Sequence, residues 1–184
     1  MSEPLSDQAM IEQVLQGHQE AYAMIVHRYK NKIYGILRGM GVNKEDAQDL
    51  TQETFLKAYR HLRQHHEDRS FSAWLYTISL NVWRDHLRKP SAVPIDHFDF
   101  VEPSEDMTPE SQYLRRESQQ EIQDKLKELP EHQRLVLLLR YTNELSYDEI
   151  ADITGMSPNK VRNDLHRAKE RLSRNMRQDE EAGA

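Results

Sequence analysis

The residues best suited to chemistry lie toward the C-terminal end. Asn159, Arg162, Asn163 and His166 fall on one side of a helical repeat, flanked by Lys160, Arg167, Lys169 and Arg171. Amide and guanidinium groups at this spacing can hydrogen-bond base edges in the major groove of DNA, and cationic groups can meet phosphates. That chemistry is recognition, with no bond made or broken. The opposite side of the repeat carries Val161, Leu165, Ala168 and Leu172 at i, i+4, i+7 and i+11, an apolar stripe that must be buried. The plainer reading is a solvated basic face on a structural helix, because two amphipathic helices joined at glycine occur in many bundles.

The elements that must hold this face can be read from the residues before it. Ser146 can cap a helix, with Glu149 three residues on to complete a capping box, and Ile150 and Ile153 share one face. Gly155 stops that helix, since glycine accepts left-handed geometry without steric cost. Ser157 can cap the next helix and Pro158 sits at its first position, where a missing N–H costs nothing. Leu145 to Leu172 therefore reads as a helix-turn-helix.

Two more polar groupings exceed what packing needs. In a helix capped by Asn43 and running to about His61, Ala47, Leu50, Phe55, Ala58 and Leu62 can face a core, while Asp49, Gln52 and Glu53 make a polar patch. A solvated face is the alternative there. In residues 71–89, Trp74, Leu75, Ile78 and Val82 form an apolar stripe, and Asn81, Trp83, Arg84, Asp85, Arg88 and Lys89 gather toward the C-terminal end. Rings beside cations suit single-stranded nucleic acid, where unstacked bases lie on aromatics. The alternative is that Arg and Lys simply favour the helix C-terminus through its dipole; Trp74 is assigned to the core.

Catalytic and metal sites are not expected. His61, His65, His66, Glu67 and Asp68 match no usual zinc spacing and read as a solvated loop. Asp49 and Glu53 are an i, i+4 pair without a cleft. No phosphate loop, G-x-S-x-G, H-E-x-x-H or cysteine nucleophile occurs, so no catalytic residue and no cofactor are assigned.

Composition sets the frame. The 184 residues include 6 Gly, 7 Pro and no Cys, 30% are charged, and no long alternating pattern suggests a strand; the expected class is all-α. Zero cysteines exclude disulfides and thiolate metal sites. No signal peptide and no run near the ~20 apolar residues of a membrane span are seen, so a soluble, cytoplasmic protein without membrane insertion is expected. The net charge of −6 would argue against a nucleic-acid binder, but it is concentrated: residues 90–114 carry six acids and no Lys or Arg, and Asp179, Glu180 and Glu181 lie in the C-terminal tail. Local field, more than net charge, governs binding.

In chain order, helices are expected over about Asp7–Gln16 and Gln19–Met40, then the two described above. Residues 90–111, with four Pro and no Lys or Arg, read as an acidic linker. A helix from about Ser111 to Leu129, another over Glu131–Tyr141, and the helix-turn-helix follow. The domains are thus 1–89 and 112–178, with an acidic tail at 179–184. Helical domains of this size are marginal alone.

DAQDLTQETFLKAYRHL, FSAWLYTISLNVWRDHLRK, the acidic linker and ELPEHQRLVLLLRYTNELSYDEIADITGMSPNKVRNDLHRAKERL, in that order, resemble the extracytoplasmic-function group of the sigma-70 family, built of sigma regions 2 and 4 alone. The resemblance covers about residues 10–175. It implies a non-enzymatic subunit that binds core RNA polymerase, directs it to promoters, helps open DNA, serves stress responses and is held inactive by an anti-sigma factor. It implies polymerase contacts at Asp49, Gln52, Glu53 and Phe55. The non-template strand at the −10 element would meet His65, Arg69, Asn81, Trp83, Arg84, Asp85, Arg88 and Lys89, of which Asn81, Asp85 and Arg88 fit the family's Asn-x-x-x-Asp-x-x-Arg pattern. The duplex −35 element would meet Ser157, Pro158, Asn159, Lys160, Arg162, Asn163, His166 and Arg167. Two departures stand out: a loop at 63–70 rich in His and acids, and Ser157-Pro158-Asn159-Lys160 in place of the commoner Gly-Thr-Val-Lys. A stand-alone helix-turn-helix regulator is the alternative; it needs only the second domain.

Overall fold

Ser6 accepts from the Ala9 N–H (3.2 Å) and starts α1, Asp7–Leu15, which buries Met10 and Ile11. Gly17, at φ +100°, turns the chain into α2, Gln19–Gly39. Its Ala21, Ile25, Tyr29, Ile33, Ile36 and Leu37 recur at helical spacing and are all buried. Asp7 ties the two together, accepting from Arg28 Nη1 (2.6 Å) and from the Tyr29 hydroxyl (2.5 Å). Asn43 caps α3, Lys44–His61, by accepting from the Asp46 N–H (2.8 Å). A 3-10 turn, Leu62–Gln64, and a short loop lead to α4, Phe71–Arg88. The computed structural model describes residues 5–66, 68–88 and 120–182, with side chains as far as 178, and among them there is no strand.

The second half comprises α5 (described over 120–127), α6 (Glu131–Tyr141), α7 (Tyr147–Thr154) and α8 (Pro158–Ala182). The expected linker 90–111 and the first part of the helix expected at 111–129 lie outside the described residues. Arg134 Nη2 donates to the Lys127 (3.2 Å) and Leu129 (3.1 Å) carbonyls, so α6 closes the end of α5. Arg140 does the same for the entry to α7, donating to the Leu145 carbonyl (2.7 Å) with its guanidinium over the Tyr147 ring. Helix α8 runs through the acidic Asp179–Glu181, beyond the end the sequence suggested. Residues 173–182 are mostly good helix formers, and the first glycine after Gly155 is Gly183.

The halves share one core. Buried residues of α2 and α4 are contiguous with Leu138, Leu139, Ile150 and Ile153 of the second half, and α4 packs on both α3 and α7. Helix α4 is therefore buried on two sides. Phe71, Leu75, Tyr76, Ser79, Leu80, Val82 and Trp83 are inside, a wider set than the one stripe expected.

Candidate nucleic-acid interface

The helix-turn-helix is built as its residues require. The Ser146 hydroxyl accepts from the Glu149 N–H (3.2 Å), and Glu149 Oε2 accepts from the Ser146 N–H (2.8 Å), completing the capping box. Gly155 ends α7 at φ +73°, and its N–H reaches the Ala151 carbonyl (2.8 Å). Ser157 Oγ accepts from the Lys160 N–H (3.2 Å) and caps α8. Val161, Leu165 and Ala168 are buried, so the other side of α8 must face out. Ser157, Pro158, Asn159, Lys160, Arg162, Asn163, His166 and Arg167 are all exposed there.

Two groups in this helix do something the sequence did not reveal. Asp164 is 2% exposed, with Oδ2 accepting from Lys160 Nζ (2.8 Å) and Oδ1 3.7 Å from His132 Nε2. An acid inside this helix thus lies against α6 and fixes the root of a cation on the outer face. Its only sequence signal was the i, i+4 spacing from Lys160. Lys169 lies over the Tyr141 ring (5.0 Å), holding its ammonium at the edge of the same face.

The face on α4 is more entangled. Asn81, Asp85 and Arg88 are exposed and Arg84 is half-buried. Asp85 lies 3.8 Å from Lys57 Nζ and 3.7 Å from Arg88 Nη1, and Lys57 also pairs with Glu53 (3.0 Å). A carboxylate repels phosphate, so here Asp85 orients its neighbours. Trp83, expected among the strand contacts, is 4% exposed and belongs to the core; its ring cannot reach a base without unpacking α4. Trp74, expected in the core, is partly buried and packs against that core. Its ring lies 5.3 Å from His65 and 5.6 Å from Phe71. His65 packs edge-on against both rings, and its Nε2 lies 3.2 Å from the Arg69 carbonyl. His65 therefore braces the loop more than it offers a free imidazole, while Arg69 is exposed. Lys89 lies outside the described residues.

Helices α2 and α3 enclose an open groove of about 1250 Å³ with Tyr22, Val26 and Phe55 at its base and Gln52, Leu56 and Tyr59 at its rim. Phe55, expected as a surface contact, is 6% exposed and its carbonyl accepts from the Tyr22 hydroxyl; the ring is floor, not handle. Burial raises the Tyr22 hydroxyl well above its ordinary pKa, so it stays a donor. Asp49 and Gln52 are exposed, and Glu53 is half-buried beside Lys57. Among the described residues no group of three or more His, Cys, Asp or Glu could hold a metal ion, and no helix is long and apolar enough to cross a membrane.

These surfaces coincide with two family models. Residues 25–92 match sigma-70 region 2, and residues 119–172 match sigma-70, region 4. The chain is 33% identical over 182 residues to the ECF RNA polymerase sigma-E factor of Haemophilus influenzae, covering 94% of this chain and 96% of that one. It is 35% identical over 179 residues to the ECF RNA polymerase sigma factor SigW of Bacillus subtilis, covering 91% and 95%. Among solved structures, CnrH in complex with the cytosolic domain of CnrY superimposes with a TM-score of 0.73 at 26% identity, covering 94% of this chain and 98% of that one. Matches to both regions, in order, leave the stand-alone regulator without support, and the chain belongs to the extracytoplasmic-function group of the sigma-70 family of RNA polymerase sigma factors.

Proposed function

We propose that this chain binds core RNA polymerase through α3 and the adjoining groove, reads a duplex −35 element with α8, and holds the non-template strand of the −10 element with α4 and the loop before it. The observation that supports this reading is the presence of two separate exposed polar and basic faces, on α8 and α4, beside a third polar patch on α3. Asp49 and Gln52 reach the polymerase directly; Glu53 is steered by Lys57. Asn81, Arg84, Arg88 and Arg69 meet the strand. Ser157, Pro158, Asn159, Lys160, Arg162, Asn163, His166 and Arg167 meet the duplex, with Arg162 the foremost base reader. As a sigma factor the chain supplies specificity and polymerase the chemistry.

The protein acts in the cytoplasm under an anti-sigma factor, a role supported by its likeness to CnrH, which the cytosolic domain of CnrY holds in its solved complex. The test is binding and transcription with core RNA polymerase. Asp49→Ala with Gln52→Ala weakens core binding tenfold or more, at about 1.4 kcal/mol per decade, and leaves duplex −35 binding by the full chain unchanged. Equal loss of both activities sinks the assignment of α3.

A further inference from the structure

Position 164 belongs to the buried side of α8. Val161, Leu165 and Ala168 surround it on the helical repeat and are all buried, so the pattern calls for an apolar residue there. The chain instead has an aspartate, 2% exposed. A carboxylate at that point is unfavourable twice over. It loses its water, and it sets a negative charge on a helix that faces phosphate. Where a buried ion pair is replaced by apolar packing, stability is often kept or improved. Packing therefore gives no reason for the acid, but its contacts give one. Oδ2 accepts from Lys160 Nζ at 2.8 Å, one turn earlier on α8, and Oδ1 lies 3.7 Å from His132 Nε2 on α6.

Lys160 lies in the first turn of α8, the part of a recognition helix that reaches base edges. The Ser157 hydroxyl holds its backbone N–H and Asp164 holds its ammonium, so the residue is fixed at both ends. Its side chain is still 52% exposed, and the ammonium keeps N–H donors beyond the one given to Asp164. A tethered ammonium is a poor phosphate ligand, because a carboxylate already answers its charge and it cannot follow the DNA backbone. It is a good base reader, because the rotamer freedom of a loose lysine need not be lost on binding. A group that only donates selects guanine, which presents two acceptors, O6 and N7, in the major groove; adenine presents one acceptor beside a donor. We propose that Asp164 is a positioning residue of the −35 interface, withholding Lys160 from phosphate and aiming it at a guanine of the element. This rests on the reading of α8 as the −35 helix.

The test uses the full-length protein with core RNA polymerase. A duplex library randomised in its upstream part is selected first, and single-base variants of the recovered element are then measured. A guanine is expected at one upstream position in the wild type. Lys160→Met and Asp164→Asn each reduce the preference for it about fivefold or more. The double variant does no worse than either single one, and the position read by Arg162 is untouched. Asp164→Asn also steepens the salt dependence of binding to duplex without the element by about one phosphate contact, because the freed ammonium meets the backbone; Lys160→Met does not. Asp164→Leu completes the apolar stripe, melts no lower than the wild type and loses the same guanine preference, which separates aiming from folding. The inference is overturned if the guanine preference survives in Asp164→Asn and Asp164→Leu, if preference falls evenly at every position, if the two single losses add, or if the salt dependence of Asp164→Asn is unchanged. An upstream element that responds to Arg162→Ala but holds no guanine sensitive to Lys160→Met also overturns it and leaves the −35 reading intact. Recovery of no upstream element defeats that reading, and the inference with it.

Discussion

Helix α8 and helix α4 both carry a face read as nucleic-acid binding, and they are prepared for it differently. On α8 the division is clean: Val161, Leu165 and Ala168 are buried, Arg162, Asn163, His166 and Arg167 are exposed, with His166 Nε2 3.4 Å from Glu170, and Asp164 fixes the helix from behind. On α4 no clean division exists. The helix is buried on two sides, its acid Asp85 is shared between Lys57 and Arg88, and the aromatics of its first turn meet His65 edge-on. A duplex presents its base edges in a groove of constant shape, so a rigid, preformed helix face suffices. A single strand appears only when DNA opens, and its reader can be built from a loop and ring contacts that part to admit a base.

The strongest way to break this contrast is Trp83→Ala. Because the ring is core, the substitution costs about 3–5 kcal/mol of stability, measured as a fall in melting temperature of the full chain. An unchanged melting temperature with weakened strand binding would return Trp83 to the DNA face. Next is Arg162→Ala, which costs about 1–3 kcal/mol at its own base position and relaxes −35 preference there, whereas Lys169→Ala weakens binding to all sequences alike. A uniform loss for both, measured on a panel of single-base −35 variants, removes the base-reading role of Arg162.

A smaller effect tests how α7, the helix before the turn, is capped. Burial raises the Glu149 carboxyl, but hydrogen bonds from the Ser146 N–H and hydroxyl and from Ser70 outweigh it, and the net shift is downward. A carboxyl lower in the folded than the unfolded state stabilises fully above its ordinary value near about 4.3 and loses that contribution as pH falls through the depressed one. Ser146→Ala removes the cap at a cost of about 1 kcal/mol and makes the acid limb of the stability–pH curve shallower. An acid limb identical to wild type contradicts the assignment. The smallest effect is Lys57→Ala. Its pairs are largely solvated, so stability changes by under about 1 kcal/mol, but freeing Asp85 slightly weakens −10 strand binding at low salt. A loss comparable to that of Trp83→Ala would mean that α3 and α4 are held together by charge.

The same contrast explains what could be read from residues alone. The capping box at Ser146 and Glu149, the Gly155 stop, the Ser157 cap and the stripe from Val161 are local signals spanning a few residues, and the structure has each where the pattern put it. Trp83 came out in the core, and Trp74 only partly buried against that core, because α4 has neighbours on two sides. One amphipathic stripe predicts one buried side, and a helix with two neighbours violates it. Phe55 was misjudged for a related reason: position within a polar motif does not tell that the ring points beneath it. Tyr76 and Asn143 carried no periodic signal, since a single hydrogen bond across 67 residues leaves no trace in local spacing.

The central claim is that this chain grips a promoter at two points whose separation polymerase sets. Reconstituting core RNA polymerase with the full-length protein and selecting from a randomised duplex library by transcription tests it most directly. The account predicts recovery of two conserved elements at one fixed separation, with the upstream element altered by Arg162→Ala and the downstream one unaffected. Recovery of a single element, or of two elements at freely varying separation, would contradict it.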